Sequence, residues 1–122
     1  MLFEAGDRAR VSIAETDLAR ARRWCEGRVP LRFRDQVRVE LKVHGQALTV
    51  VERRPPWPPR VGAEWSRAPV ARFFYDAAAR RWTLFWPDRN SHWRRYQRCP
   101  PSSRLDVLLV EVDHDPTGIF WG

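Results

Sequence analysis

The stretch QVRVELKVHGQALTVVER, Gln36 to Arg53, decides the fold. Val37, Val39, Leu41 and Val43 alternate with Arg38, Glu40, Lys42 and His44. A strict period of two is the mark of a strand with one dry and one wet face. Gly45-Gln46 then predicts a two-residue II′ turn, because glycine accepts the positive φ of its first position. That turn sets Val43 against Leu48 and Leu41 against Val50, so all four share the core face. Arg38, Glu40, Lys42, Thr49 and Val51 take the other face. Such a hairpin needs a covering layer on one side only, which is the arrangement of an antiparallel α+β protein.

Towards the C-terminus the second strand runs into VERRPPWPPR, Val51 to Arg60. Prolines without an N–H cannot pair in a sheet, so residues 53–67 are expected to form an extended, proline-rich crossover. Trp57 and Trp65 are expected to pin it to the body; the competing reading leaves Trp57 exposed for binding. APVARFFYD and RRWTLFW then read as strands joined by the polar DAAAR turn. If Tyr75 faces Trp82, Phe73, Tyr75, Trp82, Leu84 and Trp86 share one face. Arg72, Phe74, Arg81, Thr83 and Phe85 take the other. PDRNSH suits a type I turn and leads into a fifth strand, HWRRYQ. CPPSS breaks the sheet. Ser103, with Asp106 three residues on, is expected to cap a last helix to about Val112, with Leu105, Leu108, Leu109 and Val112 as its apolar stripe. The apolar tail DPTGIFWG is expected to dock.

On the N-terminal side, Ser12 and Glu15 fit a capping box for a helix from about Ile13 to Glu26. Ala14, Leu18, Ala21 and Cys25 lie on one stripe, with Trp24 beside it and Gly27 as a stop. The first eleven residues read as frayed. The expected fold is α+β: an antiparallel sheet of about five strands, a hairpin plus a three-strand meander. Both terminal helices lie on one face. The crossover leaves the strand order open, since the hairpin fits at either edge of the meander.

A chain of 122 residues with 43% hydrophobic and 12% aromatic content fits one domain with a modest core. Lys42 is the only lysine among 22 basic residues, and the formal net charge is +7. A GC-rich genome accounts for an arginine bias of this kind, but the field still draws polyanions. There is no signal-peptide pattern and no apolar run long enough to span a membrane, so a cytoplasmic protein with reduced thiols and no membrane partner is expected. Cys25 and Cys99 show no metal spacing, and their pairing stays open.

WCEGRVP in the first helix, VERRPPW, RRWTLFWPDRNSHWRRY and the terminal DPTGIFWG together make the chain similar to a small bacterial family, domain of unknown function family number 3024. The resemblance runs roughly from Leu18 to Gly122. It implies a stand-alone folding unit. It brings no activity, cofactor or catalytic residue with it.

The leading functional reading is nucleic-acid binding, in which cations neutralise phosphates and aromatic rings stack on bases. The candidate residues are Arg38, Lys42, Arg72, Arg81, Arg94, Phe85 and Tyr96 on an open sheet face, with Arg53 and Arg54 at its edge. An anionic small molecule is the alternative, held in a pocket of Phe73, Tyr75, Trp82, Trp86 and Trp93; small domains also bury tryptophan simply to build a core. A protein partner or a homodimer, anchored on Trp57 or Trp121, is the third reading. Glu40-Leu41-Lys42 is half of a metal-dependent nuclease pattern, but Asp35 lies too close before it, and cross-strand ion pairing is the expected use. Asp113-His114-Asp115 offers few ligands at one helix end. No hydrolase, zinc, P-loop or dinucleotide motif is present, so the sequence points to a binding module without a cofactor rather than an enzyme.

Overall fold

A computed structural model describes residues 13–122. The capping box expected at Ser12 and the fraying expected of the first eleven residues fall outside them. The described chain runs α1 (Glu15–Gly27), a 3-10 turn (Leu31–Phe33), β1 (Arg38–His44), β2 (Ala47–Arg53), β3 (Ala68–Asp76), β4 (Arg81–Pro87), β5 (Trp93–Arg95) and α2 (Leu105–His114). The strands form one antiparallel sheet in the order β1-β2-β3-β4-β5. The open question of strand order is thereby answered. The proline-rich segment does not cross the sheet; it joins two neighbours, β2 and β3.

The hairpin register is the expected one. Val43 pairs with Leu48 and Leu41 with Val50, around a turn in which Gly45 has φ +58°. Phe73 pairs with Leu84 and Tyr75 with Trp82 across β3 and β4. One sheet face therefore presents Leu41, Leu48, Val50, Phe73, Trp82 and Leu84, and both helices pack on it. From α1 come Ala21 and Cys25, and from α2 come Leu105, Leu108, Leu109 and Val112. Trp82 and Phe73 are fully buried and fill the middle of this layer. Val43 points to the same side but remains 43% exposed, because it stands at the end of the edge strand. The register slips once, between Val50 and Val51 opposite Val70, where β3 carries one extra residue.

The cap expected from Ser103 is not made. Arg104 is the N-cap of α2 without a side-chain bond, and its N–H donates instead to the Ser102 hydroxyl at 3.0 Å. Ser102 is fixed a step earlier, because its backbone exchanges two hydrogen bonds with Trp82. The fifth strand is shorter than expected, since only three residues pair with β4 before the chain turns towards α2.

The tail docks as expected. Asp115 takes the left-handed conformation at φ +43° after α2 and turns its carboxylate onto the chain that follows. Its oxygens accept the N–H groups of Phe120 at 3.0 Å and Trp121 at 2.8 Å. Phe120 is buried against Tyr96, and the Trp121 indole donates to the Val112 carbonyl at 2.9 Å. Arg28 closes this corner. Its guanidinium sits 4.2 Å from the Trp121 ring and donates to Asp113 at 2.7 Å, while Trp24 donates to the other Asp113 oxygen. The tail thus ties α1 to α2.

Candidate functional site

Among the described residues, no helix covers the second sheet face. Strand parity places Lys42 from β1, Thr49 from β2, Arg72 and Phe74 from β3, Arg81, Thr83 and Phe85 from β4, and Trp93 and Arg95 from β5 on this side. At its centre Arg72 is held twice. Its Nε donates to the Thr49 hydroxyl at 2.9 Å, and its guanidinium lies 4.4 Å from the centre of the Trp93 ring. Planar stacking of this kind suits arginine and not lysine. Thr49 is buried beneath this stack. Phe85 sits between Arg72 and Arg95 in the register, and Phe74 beside them is 41% exposed. Phe74, Phe85 and Trp93, with His44, Gln46 and Ala47, line a groove of about 430 Å³, mostly apolar with Arg72 set into it.

Of the residues expected to bind nucleic acid, Arg38, Lys42, Arg53, Arg72, Arg81 and Phe85 have the parity of this face, but Arg38 and Arg53 are taken up by the proline-rich connection at its margin. Others are committed elsewhere. Tyr96 is not on it at all. β5 places Trp93 and Arg95 towards Phe85, so Arg94 and Tyr96 turn to the helix side. There Tyr96 is buried and donates to Glu111 at 2.6 Å. Burial, then the Glu111 carboxylate, raises its phenol to about 12. Arg94 donates to Asp88 at 2.8 Å and helps fix the turn before β5. His92 and Asn90 N–H groups and Arg94 together hold the Asp88 carboxyl below its ordinary value.

The remaining arginines anchor the proline-rich connection. Arg38 donates to the Arg34 carbonyl at 3.0 Å and lays its guanidinium 4.2 Å from the Trp65 ring. Arg53 reaches the Trp65 carbonyl at 3.4 Å and the Glu40 carboxylate at 3.6 Å. Arg54 pairs with Glu52 at 3.2 Å and exchanges hydrogen bonds with Ser66. Trp65 thus pins the connection, and Trp57 does not: its side chain is 88% exposed.

The five residues expected to form a small-molecule pocket do not share one. Phe73 and Trp82 are fully buried between sheet and helices, whereas Trp93 lies on the opposite face. Glu40 of the nuclease-like pattern is paired with Lys42 at 3.8 Å and with Arg53. Among the described residues no group of three or more His, Cys, Asp and Glu side chains is placed to hold a metal ion. Both cysteines are free thiols, and burial raises Cys25 to about 12.

Sequence reasoning left two members out of the patch, Phe74 and Trp93. Phe74 was placed on the correct face but not counted as part of the site. Trp93 stands instead among the expected pocket residues, because nothing in HWRRYQ marks which side chains turn inward. Each side of that strand carries an aromatic residue and an arginine, so alternation gives no contrast. The face follows only from the pairing of Pro87 with Trp93 in the folded sheet.

The architecture is that of an α+β protein in two layers, with a five-strand antiparallel meander, two helices on one face and a cationic aromatic patch on the other. The chain belongs to the family Domain of unknown function (DUF3024), whose model matches residues 9–122. No curated protein and no solved structure matches it. No helix among the described residues is long and apolar enough to cross a membrane.

Proposed function

We propose that the helix-free sheet face binds single-stranded nucleic acid. The observation that carries this reading is the prearranged Arg72–Trp93 stack beside Phe74 and Phe85. Aromatic rings on a sheet face can stack on unpaired bases, whose π-faces a duplex keeps covered. Lys42, Arg81 and Arg95 border the patch and supply charge for phosphates. The net charge of +7 favours encounter with a polyanion.

The test is a salt titration with short single- and double-stranded oligonucleotides, followed by anisotropy and tryptophan fluorescence. With three cations each meeting a phosphate, log Kd should rise with log salt with a slope of about 2 for a single strand. Phe74→Ala should lose about 1–3 kcal/mol of binding, as expected for one stacked base. Its exposure keeps the effect on folding small, within about 0.5 kcal/mol. Binding that ignores salt, or that survives both Phe74→Ala and Trp93→Ala, contradicts the proposal. So does an absence of binding at low salt.

A second reading is a protein partner, and one observation favours it. Trp57 projects from the proline-rich connection over a groove of about 560 Å³ bordered by Pro55, Pro56, Arg54 and Arg60. Tryptophan and arginine are the residues that anchor protein interfaces. Under this reading Trp57→Ala abolishes capture of the partner and leaves oligonucleotide binding untouched.

A further inference from the structure

β1 is an edge strand, and among the described residues nothing pairs with its outer side. Which backbone groups face outward follows from one hydrogen bond. Tyr75 N–H donates to the Gln46 carbonyl at 2.9 Å, which flanks the Ala47–Phe74 pair. Ala47 therefore turns its own N–H and C=O away from β3 and towards His44. Pairs alternate along an antiparallel ladder, so His44, Lys42, Glu40 and Arg38 bond to β2. Val39, Leu41 and Val43 are left with their N–H and C=O groups pointing to the open edge.

We propose that this edge pairs with β1 of a second copy, antiparallel, about a two-fold axis through Leu41. In that register Leu41 meets Leu41 and Val39 meets Val43, each pair exchanging both backbone hydrogen bonds. Glu40 falls opposite Lys42 of the other copy, once on each side of the axis. These are the closer, non-hydrogen-bonded pairs, where opposite charges interact best. The neighbouring registers fail on charge. A shift one way sets Glu40 against Glu40 and Arg38 against Lys42; a shift the other way sets Lys42 against Lys42. On the core side, Val43, exposed in the single chain, is covered by Val39 of the second copy.

The space beside the strand also suits a second copy. A groove of about 460 Å³ separates α1 from the edge, with Arg22 and Glu26 on its helix wall and Val39 and Leu41 on its strand wall. A two-fold axis here brings α1 alongside its own copy on the same face of the joined sheet. Arg22 of one helix then approaches Glu26 of the other. The two helix-free faces become one continuous surface. The pairing rests on the edge geometry and stands whether or not that surface binds nucleic acid.

Sedimentation equilibrium at micromolar concentration tests it directly. The wild type is expected at twice the 14.5 kDa chain mass. Lys42→Glu should weaken the dimer at least tenfold, and the charge-exchanged double variant Glu40→Lys/Lys42→Glu should restore it. Val43→Pro should also give monomer, since it removes an outward donor and no bond to β2. Circular dichroism confirms that each variant is folded. Amide exchange supplies a local readout: Val39, Leu41 and Val43 should gain protection as concentration rises. A wild type that stays monomeric, a dimer indifferent to Lys42→Glu, or a double variant that is folded but monomeric overturns the proposal.

Discussion

Asp115 shows how much one side chain settles. A non-glycine residue at φ +43° is strained, and asparagine and aspartate bear this best because their short polar groups bond locally. Here the carboxylate uses that conformation to collect the N–H groups of Phe120 and Trp121. The tail then covers Tyr96 and accepts the Arg28 guanidinium on the Trp121 ring. Asp115→Ala removes both acceptors and keeps the strain, so it should cost about 2–3 kcal/mol in chemical denaturation. Asp115→Asn keeps one acceptor and tolerates the conformation, and should cost less than half as much. Equal losses for the two variants would mean that the carboxylate does not hold the tail. The docking was legible in the sequence, because a free Ile-Phe-Trp end is costly in water. The partner that captures it was not, because Asp113, His114 and Asp115 look alike until the helix end gives each a direction.

At the scale of the element, the proline-rich connection and β5 teach opposite lessons. The connection was readable as extended and unpaired from its prolines alone. Which of its two tryptophans pins it was not, since both are large and apolar with an arginine within three residues. The structure separates them: Arg38 stacks on Trp65, while Trp57 stands in solvent. Trp65→Ala should therefore lower stability by about 1–3 kcal/mol, and Trp57→Ala should change it by less than about 0.5 kcal/mol. Thermal denaturation of both variants checks this, and the reverse order would contradict the assignment. β5 was readable as a strand, but its two faces have the same chemistry. A shift of one residue exchanges every side chain between faces. That single parity moved Tyr96 and Arg94 to the helix side and brought Trp93 out beside Arg72.

On the alkaline side, the whole molecule carries pH dependence in its core. Burial raises Cys25 from 9.0 to about 12, and burial with Glu111 raises Tyr96 from 10.0 to about 12. Both groups hold their protons more tightly folded than unfolded. Their stabilising contribution is thus complete below pH 9 and declines from there to about pH 12, where the folded form also ionises. Ion pairs built on arginine keep their charge through this window. Denaturation midpoints should accordingly fall between pH 9 and 12, and Tyr96→Phe should flatten the part above pH 10. An unchanged slope in that variant would place the alkaline sensitivity elsewhere.

Local pattern was enough for the main helices and strands, for the hairpin register, for the β3–β4 register once Tyr75 is set against Trp82, and for the layer of helices on one face. All of these follow from local periodicity, where apolar and polar residues alternate with strong contrast, and from turn residues that admit few conformations. The strand order, the face of each β5 side chain and the contacts of each arginine were settled by packing between distant segments. With 21 of the 22 basic residues alike, composition cannot say which stack on Trp65, Trp93 or Trp121 and which remain for a ligand. That division is made by distances between residues far apart in the chain, and it leaves one aromatic, cationic patch on the uncovered side of the sheet.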